Sequence, residues 1–275
     1  MPAQKLNILR LSDRDLDFLV ETVQPELVDK VRLKEILRRD DDFRNSFISD
    51  EKIFRRFMGD EEVFLKISPA LFFEILLRKV AKDFKGFGFT IEKTGTMKIP
   101  IFDTKDVVDF LEKKDLLDYL ADMLSSFTRI ESYTISVEVR KGIREKIRFN
   151  DLDIFSLMHL CDVVEEEYRI GFYKRIADIC LFILGIFPDY AEREYRYPFS
   201  RQVRPQIKGR VRIGPEDYEK EGRKFYKLAA EHCSTKALEV SEVFWTLHED
   251  FQKAKKPLNF IAEHYLRYKR HKLFS

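Results

Sequence analysis

Six cations and no carboxylate occupy the segment from Tyr195 to Gly214. The cations are Arg196, Arg201, Arg204, Lys208, Arg210 and Arg212, with Tyr195, Tyr197, Phe199, Pro198 and Pro205 among them. Asp and Glu make up 48 of the 275 residues, so a tract of this length should hold several. Unpaired guanidinium groups beside flat rings suit an anionic partner, with charge on phosphates and rings on bases. The plainer reading is a structural loop whose arginines pair with acidic helices, Glu165-Glu166-Glu167 among them. Two more basic groups share this half of the chain. One is a hairpin tip and outer face with Arg140, Lys141, Arg144, Lys146 and Arg148; the other is the tail with Arg267, Lys269, Arg270, His271 and Lys272. Together they would make a continuous positive surface only if the fold brought them to one face.

A second constellation carries hydrolytic chemistry. His159, Asp162 and Glu166 stand at i, i+3 and i+7 of an expected helix, and Asp178 follows on the next one. Histidine and carboxylates on one face are what a hydrolytic metal ion requires. No H-E-x-x-H spacing accompanies them, and a polar helix face explains the same pattern. Asp178 lies within Ile176–Leu184, where nearly every neighbour is apolar. Burial there demands a partner, and Lys174, Arg175 or a base of the 195–214 loop could serve. His232-Cys233 ends a helix, where a histidine suits the negative end. No glycine-rich phosphate loop, serine elbow or dinucleotide fingerprint occurs, so the motifs call for no cofactor and assign no catalytic residue.

The elements that must position these residues are mostly helices. Ser12 with Asp15 three residues on is an N-cap, followed by Leu16, Leu19, Val20 and Val23 on one side. Pro25 is expected to open a second helix reaching about Arg39. Ser68-Pro69 opens a strong helix to Phe84, and further helices are expected near 105–113, 115–127, 152–168, 172–187, 216–233, 235–253 and 257–271. Period-two alternation predicts two antiparallel β-hairpins, at about 87–101 and 133–149. In the first, a three-residue loop Thr94-Gly95-Thr96 would set Ile91 opposite Ile99 and Phe89 opposite Ile101. In the second, Arg140-Lys141-Gly142 would set Val139 opposite Ile143, Ile135 opposite Ile147 and Tyr133 opposite Phe149. The order of elements over 70–149 has a winged-helix look, but its third helix carries Asp115, Asp118 and Asp122, which would repel phosphate.

Composition bounds the rest. Hydrophobic residues are 44% and charged residues 36%, with only 10 Gly and 9 Pro, which describes long amphipathic elements. The net charge of +2 divides into −3 over residues 1–126 and +5 over 127–275. Cys161, Cys180 and Cys233 form no disulfide framework or zinc ribbon. No signal-peptide core or membrane-spanning run is present, which points to a cytoplasmic protein. Scarce amides with abundant Glu, Lys and Arg resemble heat-adapted composition, and compositional drift explains them equally well.

The expectation is a mainly α fold with two short hairpins: a helical and hairpin region over 1–150, with the winged-helix-like module at 70–149, and a helical domain over 151–275 carrying the basic loop. The leading function is a non-enzymatic binding protein that presents a basic C-terminal surface to nucleic acid. The alternatives are an adaptor docking an acidic protein and a metal-dependent hydrolase built on His159, Asp162, Glu166 and Asp178. Oligomeric state and sequence preference are not encoded in these patterns.

Overall fold

The computed structural model describes the backbone of residues 11–274 apart from 61, 87, 95–96, 102, 130–131, 141–142, 151, 196–212, 238–239 and 268–272, and the side chains of that set apart from 90–101, 132–150, 193–195 and 236–237. The chain divides into two compact units, one ending at Ser126 and the next beginning at Phe127. This division passes through the stretch 70–149 and lies ahead of residue 150.

The fold class read from the sequence needs correction. Of the residues whose side chains are placed, 81% are helical and none lies in a β-strand, so the expected hairpins at about 87–101 and 133–149 are not present in that part of the chain. Outside that set only the backbone is described, and there it pairs in two separate two-stranded ribbons. Thr90–Thr94 lies against Met97–Ile101 with Ile91 opposite Pro100 and Glu92 opposite Ile99. That register departs from the expected one, because Thr94 pairs directly with Met97 where a three-residue loop was expected. Ser132–Arg140 lies against Ile143–Asn150 with an irregularity between Glu138 and Arg140, so Ile143 faces Arg140 in place of Val139. Alternation along one strand cannot fix the pairing: two strands alone bury too little to select a register.

In the first unit, α1 (Asp13–Val23) begins with the expected box. Ser12 accepts from the Asp15 N–H, and Asp15 reaches back to the Ser12 N–H at 2.8 Å. The next helix, α2 (Lys30–Arg39), starts five residues beyond Pro25, because Asp29 supplies the cap by accepting from the Arg32 N–H. After α3 (Asp41–Ile48), α4 (Glu51–Gly59) and the short α5 (Val63–Lys66) comes α6 (Pro69–Gly86). Its buried residues run almost unbroken from Leu71 to Leu77, so it is the central helix of this unit. Packed on it are α7 (Thr104–Leu111) and α8 (Lys114–Ser126). Asp15 does more than cap α1. Its other oxygen accepts from the Ser68 N–H at 2.7 Å, at the start of α6, so one fully buried carboxylate joins two helix N-termini.

The second unit is built on α10. The expected helix 152–168 breaks in two: α9 (Ile154–Val163) is capped by Asp153, and a separate 3₁₀ turn covers Glu166–Tyr168. Three consecutive glutamates at the negative end of a helix oppose its continuation. Then α10 (Ile170–Ile186) is buried on nearly every side and ends ahead of Pro188, which opens α11 (Pro188–Tyr195). Beyond residue 212 follow α12 (Pro215–Glu231), α13 (Cys233–Ala237), α14 (Ser241–Glu249) and α15 (Phe251–Phe260). Pro257 lies inside α15 and does not start a helix as expected; a π-helical turn, Ile261–Tyr265, follows it.

Two glycines set how closely these helices approach α10. A methyl group on Gly222 of α12 would stand 2.6 Å from the Phe251 ring and 2.9 Å from Cys180 Cβ. One on Gly185 would stand 2.7 Å from Leu258 Cβ. Asn259 completes the arrangement. Its amide donates to the carbonyls of Leu184 (2.8 Å) and Gly185 (2.7 Å), two of the acceptors left open at the end of α10.

Candidate functional site

The basic tract connects two helices of one unit. It leaves α11 at Tyr195 and re-enters at α12, and α11 packs against α12, so both roots are held by the same helical layer. The re-entry point is fixed by Gly214, whose N–H donates to Asp217 at 3.0 Å, with Pro215 in the first turn of the helix. Arg196, Tyr197, Phe199, Arg201, Arg204, Lys208, Arg210 and Arg212 themselves lie outside the described residues, as does Lys141. Arg140 and Arg144 belong to the 132–150 ribbon, where only the backbone is described.

The chain's end returns to the root of this tract. Leu266 is buried, and Phe274 packs edge-on against Phe182 (4.9 Å between centroids) and Phe187 (5.9 Å). Phe187 immediately precedes α11, the helix that leads into the tract. The ladder continues: Phe182 stacks on Phe127 at 4.1 Å, and the Arg175 guanidinium lies over the Phe127 ring at 3.9 Å. Lys269, Arg270, His271 and Lys272 lie outside the described residues, but the chain on either side of them is anchored at Leu266 and Phe274. Nothing in the sequence around Phe274 marked it as an anchor; its partners are more than eighty residues distant.

The hydrolytic constellation does not assemble. With α9 ending at Val163, Glu166 leaves the helix that carries His159 and Asp162, and both of those are exposed. Glu166 instead pairs with Arg169 at 2.7 Å and receives the Tyr173 hydroxyl at 3.4 Å. Asp178 is wholly buried, as its neighbours required, with Lys174 Nζ at 2.7 Å and the Tyr226 hydroxyl donating at 2.9 Å. Tyr226, fully buried on α12, is the partner that sequence spacing could not supply. Among the described residues no group of three His, Cys, Asp or Glu could hold a metal ion.

His232, Cys161 and Cys180 are equally structural. The His232 ring is buried: Nε2 faces the Glu166 carbonyl at 2.9 Å, and Nδ1 accepts from the Ser234 N–H at 3.2 Å. Those partners fix the neutral ring with its proton on Nε2. Burial pushes the Cys161 thiol up to about 11 and the Cys180 thiol higher still, away from thiolate chemistry. Cys233 is exposed and free.

No described helix is long and apolar enough to cross a membrane. No protein-family model matches this chain, and no curated protein or solved structure is similar to it.

Proposed function

We propose that this chain is a non-enzymatic, cytoplasmic nucleic-acid-binding protein whose C-terminal unit presents the tract 195–214. The single observation that carries the reading is the tract's composition, six cations interleaved with aromatic rings and no acid. Each guanidinium that meets a phosphate releases condensed counterions, and each ring offers a face to a base. The helical frame supports this reading. Both roots of the tract rest on the α11–α12 layer, and Phe274 returns the chain end to the residue before α11. Arg201, Arg204, Lys208, Arg210 and Arg212 take the phosphates, and Tyr197 and Phe199 stack.

The test is a salt titration of binding to a single-stranded oligonucleotide. Wild type is retained at low salt and released as salt rises, and each lost phosphate contact lowers the slope of log K against log[salt] by about 1. Arg204→Glu with Arg210→Glu should weaken binding and flatten that slope by about 2. Wild-type protein that passes a nucleic-acid column at all salt concentrations would refute the reading. An acidic protein co-purifying in stoichiometric amount, without nucleic-acid absorbance, would replace it with the adaptor role.

A further inference from the structure

Apolar side chains scattered singly over a surface need no explanation, but a run of them does. Leu27, Val28, Val31 and Ile36 are 38%, 99%, 69% and 39% exposed, all within α2 or the connection leading into it. The inner side of α2 is occupied: Leu33 and Leu37 are buried, and Lys34 and Arg38 pair with Asp17 and Asp13 of α1. At about 100° per residue, Val31, Arg32, Glu35, Ile36 and Arg39 fall together on the side away from Leu33 and Leu37. All five are exposed. We propose that this outward face of α2 is a self-association surface that docks, antiparallel and about a two-fold axis, on α2 of a second copy of the chain.

The charges on the face select the occupant. Glu35 stands one turn from both arginines, after Arg32 and before Arg39, and among the described residues none of the three forms an ion pair. An acidic protein or an anionic bilayer laid on this face would meet a like charge at Glu35, between the two cations. A second copy would not. In an antiparallel helix pair whose two-fold axis is level with the midpoint of Leu33 and Lys34, positions equally far from that midpoint face each other. Glu35 then meets Arg32 of the second copy, and Val31 meets Ile36 of the second copy. Symmetry repeats each contact, so two ion pairs lie between two apolar contacts. Leu27 and Val28, just ahead of the helix, come to the end where Arg39 of the second copy stands, whose aliphatic stem can cover them.

The size of the face sets the strength. The 10 residues of α2 extend about 15 Å. One face of such a helix covers far less than the roughly 800 Å² per partner of a standard stable complex. The pair is therefore weak and transient, forming at high micromolar protein. It belongs to the first unit and does not depend on the nucleic-acid reading of the tract in the second.

The experiment is sedimentation equilibrium of the full chain, freed of nucleic acid, from about 10 μM to about 1 mM. Wild type should pass from monomer to dimer with no larger species, because a two-fold contact closes on itself. Arg32→Glu and Glu35→Arg should each weaken the dimer about tenfold, since symmetry applies each change twice and turns attraction into repulsion. The two substitutions combined should restore wild-type association. Val31→Asp should leave a monomer; its carboxylate lies in the first turn of α2, where it favours the helix, so loss of fold does not account for the result. A wild type that stays monomeric throughout, a dimer indifferent to the single reversals, or reversals that the combination does not rescue would each overturn the surface. Binding to phosphatidylserine vesicles that Arg32→Glu abolishes and Glu35→Arg strengthens would assign the face to a lipid surface instead.

Discussion

Replacing Asp15 by alanine should destabilise the first unit by about 3 to 4 kcal/mol. The fully buried carboxylate accepts three hydrogen bonds: the Ser12 N–H at 2.8 Å, the Ser12 hydroxyl at 2.7 Å and the Ser68 N–H at 2.7 Å. Ser12 is exposed, so water can replace Asp15 there, and losing that half of the box costs about 1 kcal/mol. Ser68 is half-buried at the start of α6, and losing a charged acceptor there costs about 2 to 3 kcal/mol. Asp15→Asn is the control. It keeps an oxygen for Ser68 but turns an amide toward the two Ser12 donors and removes the charge from two helix N-termini, for about 1 to 2 kcal/mol. Urea denaturation followed by far-UV circular dichroism measures both. The only tryptophan, Trp245, belongs to the second unit, so its fluorescence reports whether the loss is confined to the first. An Asp15→Ala variant within about 1 kcal/mol of wild type would show that Asp15 does not join α1 to α6 energetically.

Three further outcomes are expected. Gly222→Ala should lose about 1 to 3 kcal/mol by forcing Phe251 and Cys180 apart, whereas Gly171→Ala, whose new methyl meets nothing within 4 Å, should gain about 0.5 to 1 kcal/mol; thermal melts of the pair separate crowding from helix propensity. Asp178→Ala should cost about 3 to 5 kcal/mol, since it removes the buried acceptor of the Tyr226 hydroxyl and the carboxylate paired with Lys174, and Asp178→Asn should recover about half of that; a small effect in urea titrations of Asp178→Ala would mark the pair as dispensable. Asn259→Ala should raise hydrogen exchange at the C-terminal end of α10 and cost about 1 to 2 kcal/mol by uncovering the Leu184 and Gly185 carbonyls; unchanged protection there would refute the capping role.

Local chemistry was legible wherever partners lie within one helical turn. Ser12 and Asp15, three residues apart, announce the start of α1, and Lys174 stands one turn before the buried Asp178. Charge composition is equally local, so the tract 195–214 stands out before any fold is known. The same patterns misled where a local rule met a competing one. Glu165-Glu166-Glu167 ended α9 inside an apparently continuous amphipathic run, which separated Glu166 from His159. Alternation at 87–101 gave a register that the pairing of Thr94 with Met97 does not follow.

What the sequence determined by itself is the apolar and charged content of each helix, its caps, and the acid-free, basic composition of one connection. Tertiary structure alone decided which groups meet across large separations: Asp15 with Ser68, 53 residues on, and Tyr226 with Asp178, 48 residues back. It also returned Phe274 to Phe182. The physical reason is that helix geometry fixes only neighbours three or four residues away, while distant pairs are chosen by close packing, down to a single absent methyl at Gly222.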